Sequence, residues 1–327
     1  MQTLVTGATG LLGNNIVRLL LERGTSVRVL ARDLDSRSLK GLEVEVVRGD
    51  VCDEDQVRGA CAGVDSVIHA AARISFGWTG LDALRAVNVE GTRNVARAVR
   101  KNGSRLTYVS SVDTLSAGTP DQPADEDTHG DKVPCTYVVS KREAEQVIRE
   151  EIQQGLDAVI AHPGYLLGPW DWKPSSGRML LEVATRFTPF APSGGMSVCD
   201  ARDVAAGILT AAERGETGRN YIFAGHNMTY VEAWGLFAQI SGGKGPLGKL
   251  GPVNRWLVGL VGDTITKLTG REGDINSAGI KLTSQFHYYT SARAESELGY
   301  TVRPAKESVE AAWNWFVEHD YIRNGWN

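Results

Sequence analysis

QTLVTGATGLLG, Gln2 to Gly13, is the stretch that decides how the rest of the chain is read. Gln2–Thr6 is a short apolar and β-branched run suited to a buried strand, and glycines punctuate the turn that follows at Gly7, Gly10 and Gly13. Ile16, Val17, Leu19, Leu20 and Leu21 then supply the apolar positions of a helix. A strand entering a helix through such a turn gathers backbone N–H groups and the positive end of the helix at one point. A Cβ there would hold a dinucleotide's pyrophosphate away and keep the helix off the strand. The turn, with Ala8, Thr9, Leu11 and Leu12 between its glycines, is therefore the expected phosphate cradle. Its spacing is Gly-x-x-Gly-x-x-Gly rather than Gly-x-Gly-x-x-Gly, and taken alone it also fits a plain tight strand–helix turn.

Outward from this turn, strands and helices alternate. Ser26–Ala31, Glu43–Arg48, Ser66–Ala70, Arg105–Val109 and Ala158–Ala161 read as strands. Helices are expected at 53–61, at about 81–100, and from Tyr137 to about Gln153; a polar, proline-containing loop spans 119–134. Strict alternation argues for an α/β fold of Rossmann type, a doubly wound parallel sheet whose ligands bind at the carboxyl ends of the strands. Beyond Pro163 the pattern changes: residues 169–192 are rich in Trp, Pro and Ser without a clean period. The expected organisation is a dinucleotide-binding domain over 1–165, to which 197–224 returns, and a smaller mixed lobe over 166–327 that binds substrate. Val204–Arg214 and Glu307–Glu318 read as helices, Asn220–Ala224 as a strand. In 252–269, Trp256, Leu257, Leu260, Val261, Ile265 and Leu268 recur at helical spacing. That stripe is expected to be core of the smaller lobe; the alternatives are a wall for a lipid-like substrate or a membrane-surface contact.

Bulk composition excludes several classes. The 327 residues carry 35 Lys and Arg against 39 Asp and Glu, a formal charge of −4, with no clustered basic run to attract nucleic acid. Cys52, Cys61, Cys135 and Cys199 show no metal-ligand spacing and fit reduced thiols. No run approaches the ~20 apolar residues a membrane-spanning helix needs, and a strand beginning at residue 2 leaves no room for a leader. The expectation is a cytoplasmic protein with no metal and a small-molecule substrate.

Two further signals bear chemistry. Tyr137-Val-Val-Ser-Lys141 puts a phenol and an ammonium one helical turn apart on one face. A phenol titrates near pH ~10, and a neighbouring cation is the perturbation that would let it exchange protons closer to neutrality. The same spacing also arises with a packed tyrosine and a solvated lysine. Ser110-Ser111 ends the fifth strand, where a hydroxyl can hydrogen-bond a substrate carbonyl or simply satisfy the strand's last backbone groups.

Together, Gly7/Gly10/Gly13, the serine pair and Tyr137/Lys141 resemble the extended short-chain dehydrogenase/reductases of the NAD-dependent epimerase/dehydratase superfamily, over essentially the whole chain. Within it, VTGATGLLG, NVEGTRNV, SSVDTLSAG, GPWDWKPSSGR and SARAESELGY resemble the dihydroflavonol-4-reductase-like and hopanoid-associated sugar epimerase-like branches. The resemblance implies Ser111, Tyr137 and Lys141 as catalytic residues, with Ser110 beside the cofactor. It implies Asp50 and Val51 at the adenine, Ala70, Ala71 and Ala72 on the nicotinamide side, and Asn88 in support. Pro163 and Gly164 complete the expected contacts, and helices 81–100 and 137–153 would form a homodimer.

Two departures narrow the chemistry. The Asp-Glu pair that dehydratases carry after the catalytic hydroxyl is replaced by Val112-Asp113, which disfavours dehydration. The acid that holds the ribose in NAD-preferring epimerases is replaced by Ala31, followed by Arg32, which suits a 2′-phosphate. NADP(H) is therefore the expected cofactor, with NAD(H) the alternative. The leading reading is a ketone or aldehyde reductase; the alternatives are a sugar epimerase with bound cofactor and a non-catalytic nucleotide sensor, the last disfavoured by the Tyr–Lys pair. Phe76, Trp78, Trp170, Trp172 and Lys173 are the candidate substrate-pocket residues.

Overall fold

The computed structural model describes residues 1–322 other than 131, 271 and 274. Seven parallel strands form the central sheet: β1 (Gln2–Thr6), β2 (Ser26–Ala31), β3 (Glu45–Arg48), β4 (Ser66–His69), β5 (Arg105–Val109), β6 (Ala158–Pro163) and, from far along the chain, β10 (Asn220–Phe223). Their order, β10-β6-β5-β4-β1-β2-β3, reverses direction between β1 and β4, which opens a crevice at the carboxyl ends of those two strands.

The pleat sends neighbouring side chains to opposite faces. Leu4 and Val67 join a core with α2 (Glu54–Cys61), α4 (Gly91–Asn102) and α5 (Thr136–Gln153). Val5 and Ile68 join the opposite core with Ile16, Val17 and Leu20 of α1 (Leu11–Glu22) and Val204, Ile208 and Leu209 of α7 (Ala201–Arg214). Each such buried aliphatic contributes roughly 1.5–3 kcal/mol.

The remaining elements build a smaller assembly. β7 (Tyr165–Leu167), β9 (Gly195–Asp200) and β11 (His226–Thr229) form a mixed three-stranded sheet, and β8 (Phe190–Ala191) pairs with β12 (Gly248–Lys249). A third core packs Leu180 and Leu181 of α6 (Gly177–Thr185) and Phe237 of α8 (Tyr230–Ser241) against Trp315 and Phe316 of α12 (Ala305–Glu318). α6 lies in an aperiodic Trp- and Pro-rich stretch that hides it in the sequence, whereas the start of α8 is marked locally by the Thr229–Glu232 capping box.

Two expectations are corrected. The helix expected over 81–100 is interrupted: α3 (Leu81–Leu84) passes through a π-helical segment, Arg85–Glu90, before α4. The apolar stripe of α9 (Pro252–Thr269) is not core. Only Gly259 and Gly262 are buried, against α10 (Ser277–Leu282) and the residues before it, while Trp256 is 65% and Leu268 82% exposed. The helix is held by its smallest residues, since a Cβ on Gly262 would lie 2.0 Å from the Ile275 carbonyl oxygen. Among the described residues no helix is long and apolar enough to cross a membrane.

Candidate active site

The three glycines of the first turn do different work. Gly7 has φ +76°, and a Cβ there would lie 2.5 Å from the Ala70 carbonyl carbon; at Gly13 it would lie 2.2 Å from the Gly7 oxygen. Backbone packing dictates both. At Gly10 the nearest atom would be 3.5 Å away and the residue is exposed, so protein contacts do not require glycine. Gly10 caps α1 with extended backbone, no side chain caps that end, and no acid lies in the first turn. The open N-terminus suits an anion, and the pyrophosphate of a dinucleotide fits this cradle. Asn14, fully buried, ties the turn to the loop after β2 through the carbonyls of Ala8 (3.1 Å) and Ser38 (2.8 Å).

At the carboxyl ends of β2 and β3, Arg32 and Asp50 come together, Nη1 to Oδ2 3.9 Å, with the Arg32 side chain 79% exposed. Val51 is buried beneath Gly91, and its carbonyl accepts from Asn94 (3.0 Å). On the other side of the turn, Ala70 donates its N–H to the Thr6 carbonyl (3.1 Å), and Ala71 and the exposed Ala72 continue the loop. Asn88 clamps that loop. It accepts from the Arg73 N–H (2.7 Å) and donates to the Arg73 carbonyl (2.9 Å) and to Ser140 on α5 (2.9 Å). Its position in the π-helical segment matches the frequent use of such segments at functional sites. Pro163 ends β6 opposite Phe223, and Gly164 bonds the Phe223 carbonyl (3.0 Å).

Ser110 and Ser111 leave β5, and Ser111 caps a short 3₁₀ turn with its Oγ accepting from the Asp113 N–H (3.1 Å). Tyr137 is buried in the first turn of α5, with the Phe76 ring edge-on at 5.1 Å. Lys141 is buried too, but its ammonium is held by the Tyr108 hydroxyl (2.8 Å) and the Val109 carbonyl (2.9 Å). This corrects the electrostatic expectation. Burial first, and then the Asp113 carboxylate, push the Tyr137 phenol above its usual range, and the Ser111 hydroxyl opposes them. Burial also pulls Lys141 down to about 7.

Sequence reasoning missed what stands behind Ser111. Asp113, Lys132 and His287 form a buried polar cluster around the Asp113–Lys132 ion pair. Lys132 Nζ and His287 Nδ1 both lie 3.4 Å from Asp113 Oδ1 and 2.8 Å from each other. Lys132 also donates to the Tyr289 hydroxyl (2.7 Å), which donates to the Val112 carbonyl (2.9 Å). Although burial opposes its ionisation, Lys132 and His287 hold the Asp113 carboxyl well below the usual range. The Ser111 hydroxyl donates to the other Asp113 oxygen at 3.3 Å. The incomplete Asp-Glu pair was the only sequence signal that pointed at Asp113.

Of the expected substrate-pocket residues, Phe76 borders Tyr137, while Trp78 donates Nε1–H to Ser277 (2.8 Å). Trp170 and Trp172 have other partners. Arg18 lies 3.3 Å over Trp170, Arg37 4.9 Å over Trp172, and both tryptophans pack edge-on against Trp315 and His319. They tie α12 to α1 and the loop after β2, a packing role that replaces the expected lining role, and Lys173 is solvent-exposed.

The fold and this constellation define an NAD(P)-dependent enzyme of the extended short-chain dehydrogenase/reductase type. The profile of the NAD dependent epimerase/dehydratase family matches residues 3–224, and the chain belongs to that family. It is 35% identical to a protein of Synechocystis sp. provisionally named dihydroflavonol 4-reductase, over 98% of this chain and 95% of that one. It is 32% identical to sterol demethylase protein B of Methylococcus capsulatus, over 98% of this chain and all of that one. Among solved structures, that of gox2253 superposes with a TM-score of 0.86 at 34% identity, covering 98% of this chain and 99% of that one.

Proposed function

We propose that the chain is an NADP(H)-dependent reductase acting on a ketone or aldehyde. Arg32 carries the reading: its exposed guanidinium stands at the carboxyl end of β2, where it would pair with a 2′-phosphate. The bound nicotinamide supplies or takes up the hydride. Tyr137 exchanges the proton with the substrate oxygen, its hydroxyl buried between Phe76 and the Ser111 side. Ser111 turns its hydroxyl from Asp113 to the same oxygen and stabilises charge developing there. Lys141 spends two donors on Tyr108 and Val109 and offers a third to the nicotinamide ribose. Gly7–Gly13 cradles the pyrophosphate, Asp50 and Val51 border the adenine, and Ala70–Ala72, Ser110, Pro163 and Gly164 frame the nicotinamide.

The names of the reductase and sterol relatives support a lipophilic carbonyl compound as substrate. The family resemblance supports a homodimer formed through α3, α4 and α5; light scattering that gives the mass of a single chain would refute the dimer. The deciding experiment is to denature the purified protein and identify any released nucleotide by mass spectrometry. Empty protein that binds NADPH at micromolar levels and NADH more weakly supports a reductase. Stoichiometric nucleotide retained through purification favours an epimerase that recycles its cofactor and overturns this reading.

A further inference from the structure

We propose that the outer face of α9, together with the β8–β12 corner at its start, docks on a bilayer surface bearing anionic lipid headgroups. The helix presents its large apolar residues outward. Val253, Trp256, Leu257, Leu260, Val261 and Leu268 are all exposed, whereas the face that packs on the protein is formed by Gly259 and Gly262. In water, amphipathic helices show the reverse arrangement.

The platform continues past the helix. Leu247 donates its N–H to the Pro189 carbonyl, and β12 pairs with β8, which gathers exposed Phe187, Phe190 and Leu247 at the corner that leads into α9, where Arg255 bonds Ser193. Isolated exposed apolar residues need no explanation, but a contiguous face of this extent does. Charge selects the occupant. In segments 185–190, 244–250 and 252–269 the exposed charged residues are Arg186, Lys244, Lys249 and Lys267, all cationic; the one acid, Asp263, is partly covered and accepts the Ser277 N–H at 2.9 Å. An apolar face with tryptophan and a rim of cations, on a chain whose net charge is −4, matches an interfacial helix on an anionic leaflet.

The packed side of α9, opposite this face, connects to the residues around Tyr137. Ser277, bonded to Asp263, accepts from Trp78, and Asn276 donates to the Phe76 carbonyl at 2.8 Å, while Phe76 packs on Tyr137.

The test is co-sedimentation of the full chain with vesicles of phosphatidylcholine alone or of an equal mixture with phosphatidylglycerol, and needs no substrate or cofactor. The expected result is binding to the mixed vesicles, weakened about fivefold for each of Lys244→Gln and Lys249→Gln. Leu260→Ser with Val261→Ser, at exposed sites and with unchanged thermal stability, should weaken it by at least about tenfold for each side chain lost. No sedimentation with either vesicle overturns the proposal, as does equal sedimentation with both, or binding that the serine pair leaves unchanged. A lipid-free dimer that the serine pair dissociates would also overturn it, showing that a second copy covers the face.

Discussion

The Lys141 ammonium lies 2.8 Å from the Tyr108 hydroxyl, which anchors it to β5 rather than to Tyr137 on its own helix. Burial without a carboxylate partner at hydrogen-bond distance makes this cation costly, and its pKa falls from 10.5 to about 7. Between these values the unfolded chain holds more protons than the folded one, so Lys141's contribution to stability rises with pH across that window. Below about pH 7 the penalty is present in full. Urea midpoints of the cofactor-free protein at pH values on either side of the window should therefore rise more in wild type than in Lys141→Met. Equal rises in the two proteins would show that Lys141 is ordinarily solvated.

Tyr137→Phe removes the hydroxyl and keeps the ring against Phe76. Turnover should fall by about 10²–10⁴-fold, while NADPH affinity stays near wild type in a fluorescence titration. Unchanged turnover would remove Tyr137 from the proton transfer.

Arg32→Ser should raise the KM for NADPH by about 10–100-fold, the worth of a charge-assisted contact, and leave that for NADH within about twofold. Parallel changes for both nucleotides would place the 2′-phosphate elsewhere.

The glycines separate packing from binding. Gly10→Ala should fold with stability within about 1 kcal/mol of the parent, since its backbone is extended and its surroundings open, yet bind NADPH at least about tenfold more weakly. Gly13→Ala forces a Cβ against the Gly7 oxygen and should lower the melting temperature with or without nucleotide.

Asp113→Asn leaves Lys132 buried without its counter-charge. Breaking such a cluster costs roughly 3–5 kcal/mol, to be read by urea denaturation, and adding Lys132→Met should restore much of it. Because Asp113 is depressed in the folded state, its stabilisation is present above its ordinary pKa of 3.8 and is lost as pH falls below it. The acid limb of the stability curve should flatten in Asp113→Asn.

Much of the candidate nucleotide site is readable in the sequence because its parts are local. The Gly7–Gly13 turn, the strand ends and the Tyr137–Lys141 spacing each lie within a single strand, turn or helix, where period and residue type suffice. The substrate side is not, because its residues meet only across distant segments. Asp113, Lys132 and His287 come from the end of β5, a loop without period and the segment before α11 (Ala292–Leu298). Trp170 and Trp172 carried the right chemistry for a pocket, but α12 and the loop after β2 took them as packing partners.

By itself the sequence determined the alternation of strands and helices, the parallel sheet and the glycine turn that opens its crevice, because short-range sterics and hydrophobic periodicity act on neighbouring residues. It also determined that α9 is a helix with an apolar stripe. Whether that stripe turns inward was decided only by the tertiary structure. The backbone around Ile275 to Ser277 approaches so closely that a Cβ at Gly262 would collide with it and one at Gly259 would be tight, and the large side chains are left facing outward.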